Sequence, residues 1–167
     1  MKYLLFLTLP LYVLDQATKA WITGRFPEPG ELPHERVEVI PGFFDLVRVH
    51  NTGMAFGLGN GTSWSNAIFL SIAALAIGFI VYLWRKGMLE GITGHVAAAL
   101  LISGILGNVT DRLARGYVVD FLDFSIGDRH WPSFNVADSC ICVAAGLLIL
   151  GSFAPVASTT KEGGSRG

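Results

Sequence analysis

Apolar residues in this chain fall into long uninterrupted blocks, and the polar residues gather between them. Four blocks are long enough, or nearly so, to cross a bilayer as helices of about 20 residues. They cover residues 3–24, 65–84, 93–113 and 135–154. The first contains Pro10, which a membrane helix tolerates, and is read as one spanning helix. A cleaved signal peptide is the alternative, but no small-x-small cleavage site closes the run and apolar residues resume at Ala17, Ala20, Trp21 and Ile22. Between the first two blocks the pattern changes. Phe26-Pro27-Glu28-Pro29-Gly30 is rich in breakers, and then Val37-Glu38-Val39 and Leu46-Val47-Arg48-Val49-His50 alternate as half-exposed strands do. Residues 25–63 therefore predict a small antiparallel sheet lying outside the bilayer. Residues 114–133 predict a second loop on that side, with a short extended piece over Val118 to Phe124 that carries Asp120 and with Trp131 as an interfacial anchor. The expected fold is an all-α membrane protein: a four-transmembrane-helix bundle with a small extracytoplasmic antiparallel β-sheet. It forms one domain over residues 1–157, followed by a disordered cytoplasmic tail at 158–167.

Composition agrees with the pattern. Of 167 residues 51% are hydrophobic and only 15% charged, against about 25% charged in ordinary soluble domains. Lys2, Arg85-Lys86, Lys161 and Arg166 put both termini in the cytoplasm by the positive-inside rule. A net charge of −1 gives no electrostatic case for nucleic acid. Cys140 and Cys142 lie two apart in an apolar run and point to different helix faces, so neither a disulfide framework nor a metal site follows from them. His95 reads as interfacial rather than as a ligand.

The candidate chemistry rests on acids in costly places. Asp138 is the one charged residue of the fourth block, and Asp120 lies 18 residues before it in a loop expected at the same face. Carboxylates there are expensive and point to function. Two of them together can share a proton and activate water, or they can serve a non-enzymatic transporter or assembly factor as a proton relay. The charged residues cluster at the outer edge, which favours a hydrolytic site over a conduit. Asp15 and Lys19 stand at i, i+4 and are read as an internal ion pair. Asn108 and Arg112 share a face; whether Arg112 meets substrate or neutralises Asp111 stays open. His-Glu-x-x-His, Gly-x-Ser-x-Gly, Gly-x-Gly-Asp and phosphate-loop motifs are all absent.

Five ordered motifs carry a resemblance. They are Asp15-Gln16-x-x-Lys19, Asn51-Thr52-Gly53-x-Ala55-Phe56, Gly107-Asn108-x-x-Asp111-Arg112, Val118-Val119-Asp120-Phe121 and Phe134-Asn135-x-Ala137-Asp138-Ser139. Together they resemble the bacterial lipoprotein signal peptidases, the signal peptidase II family. The resemblance implies an aspartic endopeptidase of the bacterial cytoplasmic (inner) membrane with its site near the extracytoplasmic face. It would cut the signal peptide from diacylglyceryl-modified prolipoproteins just before the lipidated cysteine. Asp120 and Asp138 take the catalytic positions, and Asn51, Gly53, Asn108, Arg112, Asn135 and Ala137 take positions around the site. Asp15, Lys19 and Asp111 are expected to be structural. The implied partners are the lipid-modified substrate and membrane lipid, with no metal, no organic cofactor and no nucleic acid, in a protein expected to be a monomer with a mobile segment after Asp120.

Overall fold

The computed structural model describes residues 4–31, 36–53 and 63–153. The expected tail at 158–167, and Ala55 and Phe56 of the second motif, lie outside them. Helices α1 (Leu9–Arg25), α2 (Ser63–Arg85), α3 (Gly91–Arg115) and α4 (Val136–Ser152) are joined to strands β1 (Val37–Ile40), β2 (Phe44–Asn51), β3 (Val118–Ile126) and β4 (Arg129–His130). The first block is not one uniform helix. A π-helical turn, Leu4–Thr8, precedes α1, and Pro10 sits in the first turn of α1. Proline has no N–H to give the carbonyl four residues back, so the regular ladder starts afresh there.

The polarity of α1 is inverted. Its buried residues are Asp15, Lys19 and Ile22, while Val13, Leu14 and Trp21 are exposed. Leu75 and Phe79 on α2 and Val143, Ile149 and Leu150 on α4 also face outward. Apolar side chains outside and charge inside suit a hydrocarbon solvent. Two helices, Trp64–Arg85 and Gly91–Arg115, are long and apolar enough to cross a membrane; α4 is apolar but has 17 residues.

Helix α3 packs tightly on α4 because two glycines allow it. A Cβ on Gly104 would meet Ile141 Cγ1 at 2.7 Å, and one on Gly107 would meet Asp15 Oδ2 at 2.5 Å and Ala137 Cβ at 3.0 Å. Small residues at such a seam let backbones approach, as between membrane helices. Buried Ala137, Cys140 and Ala144 supply the α4 side, while Cys142 points outward, so the cysteines do sit on different faces. Gly116, left-handed at φ 82°, ends α3 with its N–H on the Arg112 carbonyl.

The sheet is antiparallel in the order β1-β2-β3-β4. Strands at 37–40 and 44–51 match the alternating pattern, and the turn between them closes through Phe43 N–H to Ile40 O. The segment carrying Asp120 is more than the short extended piece expected. It is a nine-residue strand, inside the sheet and paired to β2 with Phe44 opposite Phe124 and Val49 opposite Asp120. A bulge between Leu46 and Val49 adjusts the register. Val119 and Phe121 pack on Ile22 and Phe26, which fixes the sheet to the end of α1.

The seam predicts opposite outcomes at two glycines of helices. Gly107→Ala should lower stability by about 1–3 kcal/mol through overpacking. Gly24→Ala, whose added methyl meets nothing within 4 Å, should be neutral or stabilising by up to about 1 kcal/mol. Thermal unfolding in detergent checks both; equal melting temperatures for the two variants would contradict the packing argument.

Candidate active site

The two acids arrive from different elements and meet at one asparagine. Asp138 is the third residue of α4, and Asn135 is its cap. The Asn135 side-chain oxygen accepts from Asp138 N–H at 2.9 Å, and Asn135 N–H donates to Asp138 Oδ2 at 3.3 Å. This reciprocal box satisfies two helix-end donors. The Asn135 amide then donates to Asp120 Oδ1 at 2.7 Å and reaches the Val119 carbonyl and Asn108 Oδ1 at 3.3 Å each. Asn51, at the end of β2, donates to Asp120 Oδ2 at 3.0 Å, and its own oxygen accepts from Gly53 N–H at 3.2 Å. Asn108 on α3 donates to Asp138 Oδ1 at 2.8 Å. Every oxygen of both carboxylates therefore holds a donor.

Behind this layer lies a charged one. Lys19 is fully buried and bonds Asp15 at 2.9 Å, Asp111 at 3.0 Å and Asn108 Oδ1 at 3.1 Å. The i, i+4 pair read from the sequence is present, with Asp111 as an unforeseen third member. Asp15 Oδ1 accepts from Ala137 N–H at 2.9 Å, and Asp111 accepts from Val119 N–H at 3.1 Å and from the Arg115 guanidinium. Asp111 is thus neutralised by Lys19 and Arg115. Arg112 lies elsewhere, with its guanidinium carbon 4.0 Å from the centre of the Phe69 ring, and its buried Nε has no hydrogen-bond partner among the described residues. Sequence reasoning missed Arg115, although its i, i+4 spacing from Asp111 was available. It also gave no role to Gln16, which donates to Asp15 and to the Gly107 carbonyl.

A cavity of about 420 Å³ is lined by Asp138 and by Asn51, the donor to Asp120. Asn51, Gly53, Asn108, Arg112 and Asp138 form its polar end, and Phe69, Ile72, Ala73 and Ala76 of α2 form an apolar wall. A larger hollow of about 800 Å³ on the sheet, lined by Phe43, Phe124, Trp131 and Phe134, contains neither acid. The smaller cavity is the candidate site because the titratable groups converge there.

The model of the family described as Signal peptidase (SPase) II matches residues 7–154. The chain belongs to the signal peptidase II family. It is similar to the lipoprotein signal peptidase of Syntrophotalea carbinolica, 38% identical over 149 residues and covering 89% of each chain. It is 44% identical over 138 residues to that of Symbiobacterium thermophilum, covering 83% of this chain and 86% of the relative. With that of Vibrio cholerae it shares 39% identity over 148 residues, covering 88% and 79%. A solved structure described as a bacterial membrane enzyme, obtained by the in meso method, superposes with a TM-score of 0.79 at 29% identity, covering 99% of this chain and 96% of that one. Membership of signal peptidase II makes the chain a protease, and the transporter or assembly-factor reading falls away.

Within this candidate site of a signal peptidase II family member the environment acts strongly on Asp120. Burial first, and the charge of Asp138 second, raise its pKa from 3.8 to about 7, against the bonds from Asn51 and Asn135 and the Lys19 cation. The folded chain thus keeps a proton that the unfolded chain gives up near pH 4. That contribution to stability is complete below pH 4 and is lost as pH rises through about 7. Asp120→Asn removes this dependence. Its stability relative to wild type, followed by thermal unfolding, should rise between pH 4 and pH 8 by an amount on the order of a few kcal/mol. Parallel curves for the two proteins across that range would contradict the raised pKa.

Proposed function

We propose that the chain is an aspartic endopeptidase that removes signal peptides from diacylglyceryl-modified prolipoproteins, with Asp120 and Asp138 as its catalytic pair. The observation that carries this reading is the tie at Asn135, which bonds both carboxylates, one of which, Asp138, lines an apolar-walled cavity. Asp120, titrating near neutrality, serves as the acid and Asp138 as the base. Water attacks the scissile carbonyl carbon while Asp138 takes its proton and Asp120 protonates the carbonyl oxygen. Collapse of the tetrahedral species breaks the C–N bond. The proton on Asp138 passes to the departing amine, and Asp120 recovers its own. The products are a free carboxyl end on the signal peptide and a new amino terminus on the lipidated cysteine.

The surroundings take their roles from the same reading. The guanidinium of Arg112 and the amide of Asn51, both residues of the cavity lining, hold substrate carbonyls, since a charge-assisted bond is the strongest available there. Gly53 leaves space for the substrate backbone, and Asn108, Asn135 and Ala137 support the acids. In this reading the α2 wall admits a lipid-bearing substrate sideways from the bilayer, and the cut falls just before the lipidated cysteine, at headgroup level. The four helices span the bacterial inner membrane, with the sheet and the 114–133 segment outside and both termini in the cytoplasm. Single-site action by a monomer completes the proposal.

Purified protein in micelles should cut a prolipoprotein bearing the diacylglyceryl cysteine and leave the unlipidated form intact. Asp120→Asn and Asp138→Asn should each reduce turnover by about 10⁴-fold or more while remaining folded. Turnover near wild type in either folded variant would remove that residue from the pair.

A further inference from the structure

We infer that Lys19 is a positioning residue for the acid pair, acting through the amide of Asn108. The inference rests on the assignment of Asp120 and Asp138 as the catalytic acids. Lys19 touches neither acid and does not line the cavity. Its ammonium has three donors, and the three take Asp15, Asp111 and Asn108 Oδ1 at 2.9, 3.0 and 3.1 Å. With the lysine fully buried, no rotation frees one of them without stranding a charge.

The consequence falls on Asn108. Its oxygen is claimed by Lys19 and by the Asn135 amide, so its NH₂ must face Asp138. The flipped amide would turn NH₂ toward two other donors and its oxygen toward a carboxylate. A neutral asparagine has no such preference of its own; Lys19 is the one cation among the three groups that impose it, beside the Asn135 amide and the Asp138 carboxylate. The order of dependence runs from Asp15 and Asp111 to Lys19, then to Asn108, and from there to Asp138 directly and to Asp120 by way of Asn135.

The same cation favours ionised Asp120. The charged groups around the pair are Asp15 and Lys19 from α1, Asp111 and Arg112 from α3, and each acid for the other; β2 presents only the neutral amide of Asn51. Losing Lys19 therefore shifts the proton-bearing acid toward higher pH, which a purely structural residue would not do.

The test compares cleavage of the lipidated prolipoprotein by Lys19→Met, by the charge-balanced pair Asp15→Asn with Lys19→Met, and by Asn108→Ala with and without Lys19→Met. Activity is expressed per folded molecule, and Asp138→Asn is run alongside. We expect kcat of Lys19→Met and of the balanced pair to fall about a hundredfold with KM near wild type. Their pH–rate profiles should move to higher pH, and adding Lys19→Met to Asn108→Ala should cost little more. Wild-type kcat and pH profile per folded molecule, losses that multiply with Asn108→Ala, or failure of both Lys19 variants to fold at all would overturn the inference. An active Asp138→Asn would instead overturn the acid-pair assignment, independently of Lys19.

Discussion

Everything at this site is arranged around one ammonium group with no access to water. Removing a lysine from water costs several kcal/mol, and only close, complete pairing offsets it. Here Asp15 and Asp111 supply the charge and Asn108 the remaining acceptor. Because the partners belong to α1 and α3, and because Asp15 also holds the first turn of α4 through Ala137 N–H, the cost of leaving the cation unpaired enforces the mutual positions of three helices. Asp111 extends that constraint to the sheet through Val119 N–H, one residue before Asp120. In a surround where apolar surface gains nothing from hiding, polar contacts of this kind determine how helices associate.

Asparagines make the layer between the charged knot and the acids. Asn51, Asn108 and Asn135 each present an acceptor and a donor group, and each uses both. A neutral amide can hold a carboxylate without fixing its charge, which a lysine or arginine in the same place would do. The acids are thereby held in place while their proton remains exchangeable, as the near-neutral titration of Asp120 indicates.

Much of this could be read from the chain. The apolar blocks locate the helices because their length is set by a bilayer, and the ordered motifs name the residues that meet at the site. What the sequence concealed was tertiary. β3 runs two residues past the expected end at Phe124, although Leu122-Asp123-Phe124-Ser125-Ile126 alternates as a strand does; what was concealed is its place in the sheet, which depends on β2. The partner of Asp111 on α1 stands far away in sequence, beyond any local rule, whereas Arg115 was within reach of one. The turn before Pro10 was read as plain helix because proline's missing donor changes local winding without changing composition.

The glycine seam makes the cavity lopsided. Its α3 and α4 side sets Asn108, Arg112 and Asp138 among apolar Leu101, Ile105, Val109 and Ile141, and it is backed by a seam in which neither Gly104 nor Gly107 has room for a methyl group. Its α2 side, from Phe69 to Ala76, is made of apolar residues whose neighbours ask only for bulk. A molecule lodged in the cavity thus meets one wall braced by close backbone packing and one held by side-chain bulk alone. Escape from an inhibitor would be written on α2, and a compound that gripped only the opposite wall would leave little room for it.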